Sequence, residues 1–397
     1  MSPDGQFDAY VARLRKFIRL TTENSQAGPW ESGGADYEQL ALELFALQFE
    51  HNLPYRRLCE ARGASPQNVV HWSRIPAAPA AAFKEWELSC LAPGQRSTVF
   101  HSSGTSERRP SRHFHNAASL AVYEASLWPW FAEHLLFRGE QAGPVSGLSA
   151  RAPRLVLLTP APAAAPHSSL VHMFDTIRRR PFWSGSAFLG RTARDGAWVV
   201  DAAGAAELLQ SAAAAKTPVV LLGTAFSFVH LLDFMAEHAL WLSLPAASRA
   251  METGGYKGRS RSLPREELHG LIATRLGIPP GDIVCEYGTS ELSSQAYDRA
   301  VAPRATREAS RPGRTFHFPP WVRAQIISPE TSREAAEGEV GLLRVFDLAN
   351  AYSMMAVQTE DLGVRRGAGF QLAGRAAQAE ARGCSLMAHA ETRYEPA

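Results

Sequence analysis

Short apolar runs alternating with helix-length segments predict an α/β fold with a largely parallel sheet in its middle. Residues 155–158, 219–222, 283–285, 324–327 and 342–346 each have the length and continuity of a buried strand. Residues 203–215, 226–242 and 264–276 carry the helical patterns that lie among them. Strands separated by helices bury both faces of a sheet, which is the arrangement that parallel pairing needs.

The remaining elements follow in chain order. Tyr37, Leu40, Leu44, Phe45 and Phe49 recur near helical spacing, so 34–50 is an amphipathic helix. Residues 75–83 are punctuated by prolines and read as an extended connection. A second helix is expected over 117–137, rich in Ala, Leu and Trp and ended by Arg138 and Gly139. Low complexity is confined to Ala/Pro patches such as 161–166, and no fixed-period repeat occurs.

Composition removes several classes of function. The chain has 397 residues, 45% of them apolar and 20% charged, enough for two or three domains with substantial cores. Its 41 basic and 39 acidic residues leave a net charge of +2, so no global field recruits nucleic acid or an anionic membrane. The longest strongly apolar run, 219–229, is too short for the ~20 residues of a membrane span. Neither an apolar leader nor a CxxC pair is present, and Cys59, Cys90, Cys285 and Cys384 lie far apart. That excludes a disulfide framework or a zinc ribbon and points to the reducing cytoplasm. Lysine is scarce: Lys16, Lys84, Lys216 and Lys257 are the complete set.

Walker, GxGxxG, GxSxG and HExxH patterns do not occur. What does occur is a series of glycine- and hydroxyl-rich turns. In Ser102-Ser103-Gly104-Thr105-Ser106, small hydroxyl residues around a glycine can wrap an anion, with Arg112 close in sequence. In Cys285-Glu286-Tyr287-Gly288-Thr289-Ser290-Glu291 an apolar strand ends in an aromatic, a glycine turn, two hydroxyls and an acid. That order suits a base, a phosphate and Mg²⁺, and equally suits a capped helix start. Gly254-Gly255-Tyr256-Lys257 is a glycine turn carrying one of the few lysines. Asp361, after an extended segment, can take the two hydroxyls of a ribose. Gly374-Arg375 and Arg382-Gly383-Cys384-Ser385 close the series, and His113 and His115 are spaced to share a strand face.

Taken in this order, the motifs resemble the adenylate-forming enzymes and, within them, the acyl-protein synthetase family. The family is best known for the fatty-acid-activating components of bacterial luminescence reductases. The matching stretches are SSGTS with SRH, SSLVHM (168–173), GTAF (223–226), METGGYKGRSR (251–261), EYGTSELSSQ (286–295), DLAN (347–350), TEDLG (359–363) and GRAAQAEARGCSL (374–386). The resemblance implies an adenylating α/β body with mixed and parallel sheets flanked by helices, and no mobile C-terminal lid domain. It divides the chain into a helical part (1–98), a nucleotide- and acyl-binding body (99–375) and a short tail (376–397) carrying Cys384.

The resemblance also implies roles. Ser102, Ser103, Gly104, Thr105 and Ser106 would grip the β- and γ-phosphates of ATP. Gly254 and Gly255 would lie along the adenine edge with Tyr287 stacked on the ring, Gly288 forming the turn. Ser290 or Thr289 would touch the α-phosphate and Glu291 would ligate Mg²⁺. Asp361 would hold the ribose, with Arg375 beside it. Cys384 would accept the acyl group as a thioester and pass it to a partner protein, a reductase or a carrier. With no lid lysine, Lys257 is the first candidate for the catalytic cation, Arg112 the second and Lys84 the third. Three departures from the wider superfamily's pattern are Glu107, Glu360 and Ala377. The expected activity is that of an acid–thiol ligase, activating a carboxylic acid of the fatty class. Two alternatives are a ligase that loads a carrier protein or CoA directly, and a nucleotide-binding scaffold without turnover.

Overall fold

A computed structural model describes residues 3–23, 34–102, 109–136, 152–194, 196–254, 260–298 and 314–376. Ser103, Gly104, Thr105, Ser106, Glu107, Gly255, Lys257, Ala377 and Cys384 lie outside the described residues.

The chain opens with three helices, α1 (Pro3–Glu23), α2 (Gly34–His51) and α3 (Leu53–Ala61). Asn52 caps α3 by accepting from the Tyr55 N–H at 3.2 Å. Of the extended connection expected at 75–83, only the pair β1 (Ala78–Pro79) is a strand; the short helix α4 (Ala82–Glu85) follows. A hairpin, β2 (Thr98–His101) with β3 (Arg112–His115), leads to α5 (Ala117–Leu135), where Asn116 accepts from the Ser119 N–H.

The alternation then appears as predicted, with more elements than the sequence displays. In order come β4 (Arg154–Pro160), α6 (Ser169–Arg178), β5 (Gly185–Thr192), β6 (Trp198–Val200), α7 (Ala202–Ala214) and β7 (Val219–Thr224). After these come α8 (Ala225–Glu237), β8 (Arg249–Thr253), α9 (Arg265–Leu276), β9 (Ile283–Tyr287) and β10 (Ala296–Tyr297). The helix expected over 226–242 stops at Glu237, because Ala239 turns into the left-handed region at φ +51°. Seven strands form one sheet in the order β10-β9-β8-β7-β4-β5-β6, parallel from β9 through β5 and antiparallel at both edges.

The last strands build a second sheet. They are β11 (Val322–Ile327), β12 (Val340–Asp347), β13 (Ala356–Arg366) and β14 (Gly369–Arg375), with β1 and β14 sharing one edge of β13. Segments 324–327 and 342–346 are thus strands, as expected, but in an antiparallel pair outside the parallel sheet.

Two-residue periodicity sorts the first sheet's side chains between two cores. Val156, Leu158, Val219, Leu221, Ala250 and Ile283 face α7, α8 and α9. Leu155, Leu157, Val220, Leu222, Met251 and Val284 face α5 and α6. Phe131 belongs to the second core and Phe228 to the first. The opening helices pack on the second sheet. Their buried polar groups are satisfied there, Tyr37 donating to the Phe346 carbonyl at 3.0 Å and Gln48 Nε2 to that of Asn350 at 2.8 Å. No helix of the described residues is long and apolar enough to cross a membrane.

Candidate active site

Strands β8 and β9 are parallel neighbours, with Glu252 opposite Cys285 and Thr253 opposite Glu286. A glycine follows each. Gly254 sits at φ +66°, where a side chain is strained. At Gly288 a Cβ would lie 2.4 Å from Glu286 Oε1, so a side chain there would displace the Glu286 carboxyl.

The loop after β9 is held by three other parts of the chain. His113, on the buried face of β3, donates from Nδ1 to the Ser290 carbonyl at 2.9 Å. A carbonyl only accepts, so this bond fixes the proton on Nδ1, and burial holds the imidazole down to about 4, hence neutral. The Ser111 hydroxyl lies 3.2 Å from that of Ser290, while the Ser111 N–H donates to Ser102 Oγ at 3.0 Å. Ser102 is therefore tied to the loop through Ser111. From the second sheet, Asn350 Nδ2 donates to the Glu291 carbonyl at 2.7 Å. Asp347 accepts from the Ser293 N–H at 2.9 Å and the Ser294 hydroxyl at 2.8 Å.

Asp361 projects from β13 to meet Tyr287, whose hydroxyl donates to Oδ2 at 2.8 Å. Burial raises the Asp361 carboxyl above its ordinary range, and the Tyr287 hydroxyl and Arg375 partly offset the rise. Arg375 is the β14 partner of Asp361; its Nε is 3.8 Å from Oδ1, while Nη2 donates to Glu360 at 3.0 Å. The Tyr287 ring is 7% exposed and packs edge-on against Phe316, Phe318 and Phe370. Arg112 lies on the outward side of β3, 3.4 Å from Glu87 and over the Phe114 ring. Glu291 and Ser290 are buried, and Thr289 Oγ1 is buried with no partner among the described residues. A buried hydroxyl left unpaired costs about 1–3 kcal/mol, which a phosphate oxygen would recover.

Ser102, Gly254, Tyr287, Gly288, Thr289, Ser290, Glu291, Asp361 and Arg375 are thus linked through one region between the two sheets. Sequence reasoning assigned no role to Ser111, His113, Glu286, Asp347 or Asn350, which hold the expected residues in place. The even spacing of His113 and His115 was a visible signal, and Asp347 and Asn350 belong to a motif quoted only as a match.

Glu286 gives a stability test. It accepts from the Thr253 hydroxyl, and burial pushes its carboxyl up to about 7, with Glu252 on the next strand adding to the rise. The folded state therefore holds a proton that the unfolded chain releases near its ordinary value of 4.5. Stability falls as pH rises from about 4.5 to about 7 and is level above that. Glu286→Gln keeps an acceptor for Thr253 and removes the ionisation. Its thermal midpoint is expected to match wild type at pH 4.5 and exceed it at pH 8, by roughly 3 kcal/mol of stability. A difference that does not change with pH contradicts this.

The fold is that of an adenylate-forming ligase body. An open form of 2-hydroxyisobutyryl-CoA ligase, solved with 2-HIB-AMP and CoA, superposes with a TM-score of 0.57 at 15% identity, over 85% of this chain and 69% of that one. The same ligase in its thioesterification state gives a TM-score of 0.58 at 14% identity, over 88% and 70% of the two chains. More particularly, residues 200–392, just under half of the chain, match the family described as acyl-protein synthetase, LuxE. The long-chain-fatty-acid–luciferin-component ligase of Aliivibrio fischeri is 26% identical over 152 residues, 38% of this chain. That match spans 37% of the Aliivibrio protein's length.

Proposed function

We propose that this chain uses ATP to activate a carboxylic acid, of the fatty class, as its acyl-adenylate, and then transfers the acyl group to the Cys384 thiol and on to a partner protein. The observation that carries the reading is the meeting of Ser102, the loop 287–291 and Asp361, drawn from three distant stretches, through Ser111 and Tyr287.

In the first step a carboxylate oxygen attacks the α-phosphorus of ATP, a new O–P bond forms, and the bond to the β-phosphate oxygen breaks to release pyrophosphate. Two anions must be held in line, so catalysis consists mainly of positioning and charge stabilisation. Asp361, steadied by Tyr287, takes the ribose hydroxyls; Ser290 and the Thr289 hydroxyl, which has no partner among the described residues, donate to the α-phosphate. Glu291 suits Mg²⁺, which when bound supplies charge neutralisation to the phosphates. Gly254 and Gly255 border the adenine, residues 102–106 take the outer phosphates, Lys257 is the catalytic cation and Arg112 the reserve.

In the second step the Cys384 thiolate attacks the acyl carbon, a thioester forms, and AMP leaves with the electron pair of the broken C–O bond. Cys384→Ser is expected to keep ATP–pyrophosphate exchange and to lose the hydroxylamine-sensitive labelled adduct. An adduct that survives the substitution puts the acceptor elsewhere, on a carrier thiol or CoA.

A further inference from the structure

On the opposite side of β8 and β9 from Thr253 and Glu286, three metal-ligand side chains converge. Glu252 and Cys285 are cross-strand partners, and His269 reaches them from α9. All three are buried. Cys285 Sγ lies 3.7 Å from His269 Nε2, His269 Nε2 lies 3.5 Å from Glu252 Oε1, and Sγ lies 2.7 Å from that same oxygen.

We propose that Glu252, His269 and Cys285 bind a zinc ion that braces β8, β9 and α9 directly behind the nucleotide motifs. Carboxylate, imidazole and thiolate form a donor set suited to zinc. Tetrahedral zinc, with bonds of about 2.3 Å to sulfur and about 2.0 Å to nitrogen and oxygen, sets S···N about 3.5 Å apart and N···O about 3.3 Å apart. Two of the three edges already have these lengths. The third opens by about 0.8 Å on rotation of the Glu252 side chain.

The surroundings support three of the four positions of a tetrahedral ion. Arg314 donates to Cys285 Sγ at 3.3 Å and to Asp298 Oδ2 at 2.7 Å, and Asp298 Oδ1 accepts from the Cys285 N–H at 2.8 Å. A guanidinium cannot ligate, but its N–H supports a thiolate, as outer-layer donors do at metal centres. Glu252, Asp298 and a Cys285 thiolate supply the negative charge that a dication needs, with Arg314 beside the thiolate and the carboxylate of Asp298. The next residues along the two strands are Thr253 and Glu286, so the ion fixes the spacing of the strand ends on which Gly254 and Tyr287 sit.

The test uses the full chain, purified without chelator, and then Co²⁺ alone as probe after the native metal has been stripped. The expected result is one zinc per chain by elemental analysis, with a thiolate-to-cobalt charge-transfer band and strong tetrahedral visible bands. Cys285→Ser loses the charge-transfer band; Cys90→Ser and Cys384→Ser retain it. Should Cys285→Ser fail to fold, the wild-type metal content and cobalt spectrum decide. Wild-type protein that retains no zinc and shows no thiolate band with excess Co²⁺ overturns the proposal, as does a band that persists in Cys285→Ser. The spectra need neither ATP nor an acid, so failure here is separate from failure of the adenylation reading.

Discussion

Glu291→Gln is expected to lower acid-dependent ATP–pyrophosphate exchange by about 10²–10³-fold, the range for loss of one preorganised electrostatic group. The substitution removes a charge from a buried position and changes little else. The loop's tether runs from Asn350 to the Glu291 carbonyl, which glutamine retains. Thermal stability should stay within about 0.5 kcal/mol of wild type, the range of substitutions that break no named interaction. Loss of exchange with an unchanged thermal midpoint places the defect in the chemistry. Near-normal exchange removes Glu291 from the proposed role.

Asp347→Ala is the second large effect, and it acts on stability. Asp347 is fully buried at the end of β12 and accepts from the Ser293 and Ala349 N–H groups at 2.9 Å and the Ser294 hydroxyl at 2.8 Å. Burial pushes its carboxyl up to about 6 even with these donors. Alanine leaves the Ser293 and Ala349 N–H groups buried and unpaired, at about 1–3 kcal/mol each before relaxation, while the Ser294 hydroxyl keeps that of Ser126 at 2.8 Å, so a loss of about 4 kcal/mol is expected. At ~2.1 cal/mol/K per residue of unfolding entropy, the melting midpoint of a chain this long falls by about 5 °C. Asp347→Asn keeps an acceptor and should cost roughly half as much. A midpoint shift below about 1 °C in the alanine variant contradicts the view that Asp347 ties the motif loop to the second sheet.

The parallel strands were legible because burial on both faces makes them continuous apolar runs, as at 155–158 and 219–222. Strand β8 was not: its sequence Arg-Ala-Met-Glu-Thr places Glu252 and Thr253 among buried positions, and polar residues break the apolar signal. Helix α5 was legible from its composition and α8 only at its start, since nothing apolar marks the left-handed turn at Ala239. In the site, residues tied by local motif order could be read, Tyr287 through Glu291 above all. Residues tied by tertiary contact could not. Glu252, His269 and Cys285 have no metal-motif spacing in the chain; strand register and the packing of α9 bring them together. Ser111 and His113 likewise reach Ser290 only because the hairpin β2–β3 folds beneath the loop.

The most direct test is ATP–pyrophosphate exchange by the purified full-length chain against a panel of carboxylic acids running from short to long-chain fatty acids. Exchange that depends on a particular acid, and that Glu291→Gln lowers by about 10²–10³-fold, is the expected result. Nucleotide binding with no acid-dependent exchange across the panel would contradict adenylation and leave a nucleotide-binding protein without turnover.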